Sequence, residues 1–189
     1  MQIVEEASKL ARAVQACSDR GRSAFADPRV YLERYIRAPK HIEVQVLCDA
    51  HGGAVALGER ECSAQRRHQK IIEESPAAAP FFAGEAGEAR RQQLFADALR
   101  IVTMAGYVNA GTVEFVASPE GELFFLEVNA RLQVEHCVTE MVTGIDLVEQ
   151  QLRVALGEAL EASVLSPTRA GHSIEARVYA EDPAKNFLP

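Results

Sequence analysis

The chain has 189 residues, 48% of them hydrophobic, with 27 acidic against 20 basic side chains and a formal net charge of −7. That is enough apolar chain for one globular unit with a core. The acidic balance argues against nucleic acid as a main partner, no apolar run approaches membrane-spanning length, and no basic or signal-like leader opens the sequence.

Met1-Gln2-Ile3-Val4 reads as a strand without a lead-in, and Asn186-Phe187-Leu188-Pro189 ends the sequence without a polar tail, so an excerpt of a longer protein is expected. Ser8 is placed to cap a helix to about Ala24, with Leu10, Ala11, Val14 and Cys17 on one face. Val30 to Ile36 reads as a strand. Ile42 to Cys48 and Ala54 to Gly58 read as a hairpin around Asp49-Ala50-His51-Gly52-Gly53. Residues 59–74 are densely charged, with Arg66, Arg67, His68 and Lys70 inside five positions. They are expected as a cation-rich loop between β segments, with His68 and Lys70 on one side if extended.

Residues 76–87 form a Pro- and Gly-punctuated loop. A helix follows from about Glu88 to Ala105, with Leu94, Ala98, Ile101, Val102 and Ala105 inward and Gly106 ending it. Residues 111–117 and 122–128 form a hairpin around Ser118-Pro119-Glu120-Gly121. Asp146 caps a helix to Leu156, closed by Gly157. A connector at 158–171 leads to a last strand over 173–180, in which Glu175, Arg177 and Tyr179 share a face. Strands outnumber helices and several hairpins are implied, so the fold class is α+β with mainly antiparallel pairing.

Residues 127–136, Glu-Val-Asn-Ala-Arg-Leu-Gln-Val-Glu-His, carry the chemistry. In an extended chain Glu127, Asn129 and Arg131 share one face, and Gln133 and Glu135 follow if the extension continues. If Ala117 pairs with Glu122, Glu114 lies opposite Phe125 and diagonal to Glu127, within reach of one shared cation. Oxygen-only ligands suit a hard ion such as Mg²⁺, which arrives with phosphate oxygens. The four cysteines, Cys17, Cys48, Cys62 and Cys137, form no C-x-x-C pair, which fits a reducing compartment. His136 beside Cys137 suggests soft-metal ligation, but no further Cys or His stands at ligand spacing, which argues against zinc.

These blocks resemble a known family. Lys40-His41-Ile42-Glu43-Val44-Gln45-Val46, Gln65-Arg66-Arg67-His68-Gln69-Lys70, Gly111-Thr112-Val113-Glu114-Phe115, Glu127 through His136, Thr143-Gly144-Ile145-Asp146 and Glu175-Ala176-Arg177 are similar to the ATP-grasp portion of biotin carboxylases. The resemblance covers nearly the whole chain and implies an ATP-grasp fold fragment. It divides the chain into an ATP-grasp domain at 1–157 and, at 158–189, a connector and the start of a C-terminal domain. It places a glycine-rich lid and an N-terminal domain upstream of Met1. This chain departs from the usual pattern at Gly53, Glu61 and Cys137, none of them an implied ligand.

The implied reaction is ATP-dependent carboxylation of biotin by bicarbonate through carboxyphosphate. The resemblance implies ATP, Mg²⁺ (or Mn²⁺) and biotin as a carrier-bound substrate. Glu114, Glu127 and Asn129 stand as metal ligands, with the two carboxylates also meeting the nucleotide. Glu33, Arg34, Tyr35 and Ile36 stand as the adenine hinge, and His41, Gln65 and His68 as nucleotide contacts. Lys70, Arg131, Gln133 and Val134 line the bicarbonate pocket, Glu135 is the general base, and Arg177 binds biotin and stabilises its enolate form. Implied partners are a biotin carboxyl carrier domain or protein, a carboxyltransferase component and a second copy in a homodimer. The implied location is cytoplasmic, or the mitochondrial matrix in a eukaryote. Another ATP-grasp carboxylate–amine ligase and a non-catalytic nucleotide-binding fragment remain open alternatives at this point.

Overall fold

A computed structural model describes residues 2–187. The chain divides into two compact units, one reaching to Arg37 and the other starting at Ala38. In the first, a 3₁₀ turn at Ala7–Lys9 leads into α1 (Leu10–Phe25). Ser8 lies inside that turn, and Lys9 occupies the N-cap without a side-chain bond, so the expected serine cap does not form. Ala13 is buried, Leu10, Val14 and Cys17 are half-buried, and Ala11 is exposed. The strands expected at Val30–Ile36 and over residues 2–4 are not formed, and Met1 lies outside the described residues. Both segments have β-type composition, but neither has a partner strand, and a strand exists only through its ladder.

The second unit is built on a six-stranded sheet, every pair antiparallel, in which Leu123–Asn129, Asn109–Ala117, Lys40–Cys48, Ala54–Arg66, Gln69–Ser75 and Ser173–Ala176 lie side by side in the order β5-β4-β1-β2-β3-β6. The central strand β1 (Lys40–Cys48) is buried over its last seven residues. Its even positions, Ile42, Val44, Val46 and Cys48, are apolar and share a core with Leu94, Phe95, Ala98 and Val102 of α2 (Gly84–Met104). Its odd positions change character along the strand. His41, Glu43 and Gln45 are polar, whereas Leu47 joins Leu57, Ala110, Leu147, Val154 and Leu160 in a second apolar cluster. Alternation therefore places a polar site and an apolar core on one face of the sheet. The apolar end is covered by α4 (Leu147–Ala155) and α5 (Ala162–Leu165).

Two expected helix ends are present. The Asp146 side chain accepts the Glu149 N–H at 2.8 Å. After α2, Gly106 takes a φ of +61°, and the Tyr107 N–H donates back to the Val102 carbonyl at 3.0 Å.

The charged stretch 59–74 is not a loop. It forms most of β2 (Ala54–Arg66) and β3 (Gln69–Ser75), joined by a tight turn at Arg67 and His68, both at positive φ. Charge is tolerated inside the sheet because it is paired: Glu59 accepts Arg91 Nε from α2 at 2.6 Å, and Arg60 meets Glu43 on the other face. His68 at the turn does not share an extended face with Lys70.

The register of β4 (Asn109–Ala117) and β5 (Leu123–Asn129) differs from the simple hairpin in two places. The Ser118 N–H donates to the Glu122 carbonyl, so pairing opens at Ala117 with Leu123. A bulge then leaves Leu126 unpaired between the Phe115–Phe125 and Glu114–Glu127 pairs. Glu114 consequently faces Glu127 directly instead of Phe125.

After Asn129 the chain leaves the extended conformation and enters α3 (His136–Thr143), a helix not anticipated above and closed by Gly144 at a φ of +69°. The last strand, β6, spans only Ser173–Ala176, although the Arg177 N–H still donates to the Ile71 carbonyl at 2.9 Å. Packing runs across the 157/158 position: the Leu160 N–H donates to Asp49 Oδ2 at 2.8 Å and the Ala170 N–H to the Val142 carbonyl at 2.9 Å.

Candidate active site

Four side chains stand side by side across four strands: Arg60 of β2, Glu43 of β1, Glu114 of β4 and Glu127 of β5. Directly paired residues of antiparallel strands share a face, so this row is fixed by register alone. Arg60, fully buried, donates Nε to Glu43 Oε1 at 2.6 Å and Nη1 to Gln45 at 2.7 Å and Thr139 at 2.9 Å. Its Nη2 donates to Thr112 at 3.2 Å and Gln133 at 3.3 Å. The guanidinium fork thereby ties β1, β4 and α3 to the loop that carries Gln133.

Lys70 enters above this row from β3. Its ammonium donates to Glu43 Oε2 at 2.5 Å, Glu135 Oε1 at 2.6 Å and Glu114 Oε1 at 3.0 Å, using all three of its protons. Burial works against the ammonium, but the Glu43 charge and the bonds to Glu135 and Glu43 outweigh it and hold its pKa above the usual lysine range. Burial likewise opposes charge on Glu43, yet Arg60, His41 and Lys70 hold that carboxyl below its ordinary value.

His41 Nε2 lies 3.0 Å from Glu114 Oε2 and 3.6 Å from Glu43 Oε2, without a directed hydrogen bond to either. The attraction is that of opposite charges. Burial alone would lower the His41 pKa, but the two carboxylates push it up to about 9. Glu114, raised by burial but lowered by His41, Lys70 and Gln133, falls to about 2. The two carboxylates therefore favour the charged form of the ring, and Nδ1 lies 3.3 Å from the side-chain amide of Gln65.

Glu135, 2% exposed, joins two cations: Oε1 accepts Lys70, and Oε2 accepts Arg177 Nη2 at 3.0 Å. Arg177 is braced from behind by Glu73 of β3 through Nε at 2.5 Å. Its partners are thus Glu73 and Glu135, and not Glu175 as in a simple surface pair. Arg131 is exposed, donating to Asn129 Oδ1 at 3.3 Å and the Leu132 carbonyl at 3.2 Å. Gln133 is buried and donates to Glu114 at 2.7 Å, while Val134 is exposed.

The residue set fits a hard divalent cation. Asn129 Nδ2 reaches both Glu114 Oε1, at 3.0 Å, and Glu127 Oε1, at 3.3 Å. Asn129 thus stands between the two carboxylates, where a single ion would meet both, and its amide oxygen, which accepts from Arg131, would have to turn inward to join them. In the neighbouring trio His41, Glu43 and Glu114, both carboxylates meet Lys70 and Glu43 also meets Arg60.

One cleft of about 320 Å³ brings these groups together. His41, Gln65, His68 and Lys70 line one part of it, Glu114, Glu127, Asn129 and Arg131 another, and Gln133, Val134, Glu135 and Arg177 complete it with Gln69. Twelve of the residues singled out in the sequence thus share one site. The remaining four, Glu33, Arg34, Tyr35 and Ile36, belong to the first unit, where all but Ile36 are exposed. Sequence reasoning missed Glu43, Arg60 and Glu73, each buried and each bonded to a cleft residue or its neighbour. The signal was available: Glu43 and Gln45 recur at period two on a strand whose other face is apolar from Ile42 to Cys48.

Comparison with known proteins places the chain in a family. The family described as "Carbamoyl-phosphate synthase L chain, ATP binding domain" matches residues 1–163. The chain is 48% identical over its full length to biotin carboxylase 2 of Bacillus subtilis, spanning 41% of that protein. It is 47% identical, over 93% of its length, to the propionyl-CoA carboxylase alpha chain of Ruegeria pomeroyi, spanning 25% of it. Among solved structures, the biotin carboxylase–β,γ-ATP complex of Campylobacter jejuni superposes with a TM-score of 0.86 at 46% identity, covering all of this chain and 41% of that one. The biotin carboxylase domain dimer of Hydrogenobacter thermophilus 2-oxoglutarate carboxylase, with MgADP, ADP and bicarbonate, gives 0.82 at 42% identity, covering 96% and 39%. The chain therefore spans less than half the length of these relatives. With an α+β fold of antiparallel sheet and packed helices, and a family match over most of its length, it belongs to the carbamoyl-phosphate synthase L chain type of ATP-binding domains, as the ATP-grasp portion found in biotin carboxylases.

Proposed function

We propose that this chain is the catalytic ATP-grasp portion of a biotin carboxylase, using ATP and bicarbonate to carboxylate biotin on a carrier domain. The observation that carries the reading is Glu135, a buried carboxylate with one oxygen on Lys70 and the other on Arg177, in a cleft that also presents Arg131. A small oxyanion entering there meets Lys70 and Arg131 as counter-charges, with Gln133 and Val134 beside it. Glu135 is then positioned to take the bicarbonate proton, which turns a weak nucleophile into a competent one.

Glu114, Glu127 and Asn129 would hold Mg²⁺ or Mn²⁺, which supplies charge neutralisation at the phosphates when bound. Protonated His41, with Gln65 and His68, faces the same part of the cleft and provides donors to nucleotide phosphate or ribose. Glu33 to Ile36 are proposed to meet the adenine base, Glu33 and Ile36 through their backbone. Arg177 is already anchored by Glu73 through Nε, so its Nη groups are aimed instead of free to search, which suits stabilisation of a developing biotin enolate. Carrier, carboxyltransferase and a second copy of the chain are the proposed partners. Residues from 158 on are proposed to begin the next domain, and a cytoplasmic or mitochondrial-matrix setting is proposed with them.

Glu135→Gln in the full-length protein tests the base. Bicarbonate-dependent ATP hydrolysis is expected to fall roughly 10²–10⁴-fold, while MgADP binding measured by calorimetry is retained. Hydrolysis at the wild-type rate would remove Glu135 from that role.

A further inference from the structure

We propose that His136, Cys137 and Glu140, on the first turns of α3, form a binding site for a borderline-soft divalent cation of the zinc type. The site is distinct from the carboxylate pair at Glu114 and Glu127. The sequence offered only the His136–Cys137 pair, because no further Cys or His stands at ligand spacing. The helix supplies the third donor. Glu140 lies four residues after His136, so it returns to the same side one turn on. One ligand atom from each of the three residues lies within 4.8 Å of the others.

Several details suit metal binding over an incidental cluster. His136 Nδ1 lies 2.8 Å from the Gln133 carbonyl, which makes Nδ1 the donor and leaves Nε2 as a lone pair facing outward. That backbone carbonyl is the type of outer partner that fixes the ring of a metal-bound histidine. Cys137 Sγ lies 3.7 Å from His136 Nε2, so the thiol proton is directed at that lone pair. In a tetrahedral zinc site, with Zn–S about 2.3 Å and Zn–N about 2.0 Å, sulfur and nitrogen stand roughly 3.5 Å apart. The observed separation needs almost no adjustment. Binding replaces the Cys137 proton, which is released to solvent, with the cation. Glu140 Oε1 is fixed by the Leu147 N–H at 2.6 Å, which holds the carboxylate over the turn.

A further observation is independent of the trio. β6, which carries Glu175, packs against α3. Glu175 Oε2 is buried without a hydrogen-bond partner. Glu175 is half-buried and already feels the Arg177 charge, and a cation held on α3 adds to that compensation. Cys137 is exposed, so the cation has direct access.

The test uses the full-length protein, stripped by chelator and then saturated with Mg²⁺ and ADP to occupy the carboxylate site. Co²⁺ is titrated as the spectroscopic probe. One equivalent per chain is expected to produce a thiolate-to-cobalt charge-transfer band. The band should persist in Cys17→Ser, disappear in Cys137→Ser and need roughly tenfold more cobalt or greater in Glu140→Gln. Zinc should bleach it and added Mg²⁺ should not. Absence of the band in the wild type, its survival in Cys137→Ser, or its removal by Mg²⁺ would overturn the proposal.

Discussion

At the scale of single residues, the site is a set of buried charges that are stable only together. Arg60 is the clearest case, because it is fully buried and bonds five side chains. Arg60→Leu leaves Glu43 buried with part of its compensation gone, and removal of one partner from a buried pair costs about 3–5 kcal/mol. Urea unfolding of the intact protein reads this directly, and a loss below about 1 kcal/mol would mean that Arg60 is dispensable. His41 and Glu114 make a pH-dependent contribution. The His41 pKa is raised from 6.5 to about 9, so its stabilisation is complete below pH 6.5 and is lost as pH rises through 9. The Glu114 pKa is lowered from 4.5 to about 2, so its stabilisation is complete above pH 4.5 and is lost as pH falls through 2. The two shifts share the His41–Glu114 attraction but also draw on Glu43, Lys70 and Gln133, so their contributions are coupled and do not simply add. Stability is expected to decline from pH 6.5 to 9, and His41→Gln should flatten that decline. An unchanged slope in the variant would contradict the assignment. Much of this was legible as residue types. Glu127, Asn129, Arg131 and Glu135 announce themselves by clustering, whereas Glu43 and Arg60 do not, since each looks like one charge in an ordinary strand until the register sets them face to face.

At the scale of elements, periodicity identified β1, α2 and α4 well, because each buries one regular face. It failed where a partner decides the outcome. Val30 to Ile36 has strand composition and no strand to pair with, and β3 has loop composition yet is paired on both sides. The β4–β5 register shows why a site can be inferred for incomplete reasons. A loop one residue longer and a bulge at Leu126 each shift the pairing by one, and together they bring Glu127 from a diagonal position to one opposite Glu114. No local sequence signal specifies that bulge. Close approach of elements yields a further prediction at Gly87, in the first turn of α2. A Cβ there would lie 2.1 Å from the Phe82 carbonyl carbon and 2.3 Å from its oxygen. Alanine normally stabilises a helix interior by up to about 1 kcal/mol relative to glycine. Gly87→Ala is expected to do the reverse and lower the melting temperature, because backbone atoms cannot yield cheaply. A stabilised variant would show that α2 can move off the 80–82 turn without cost.

At the scale of the whole molecule, an acidic chain concentrates Lys70, Arg131 and Arg177 in one cleft. No helix among the described residues is long and apolar enough to cross a membrane. The sheet supplies rigidity and the connections supply reach: Arg131 to Glu135 follow β5, and Arg177 follows β6, so two chain segments distant in sequence close over Lys70. This arrangement suits positioning of anions, in which phosphoryl transfer and proton removal are matters of placement and charge. The central claim is that the cleft couples ATP to bicarbonate, and the most direct measurement is ADP release by the full-length Mg²⁺-supplied protein, with bicarbonate removed and then restored. The account predicts ADP release that depends on bicarbonate and increases with free biotin. ADP release indifferent to bicarbonate would contradict it and point to a carboxylate–amine ligase instead.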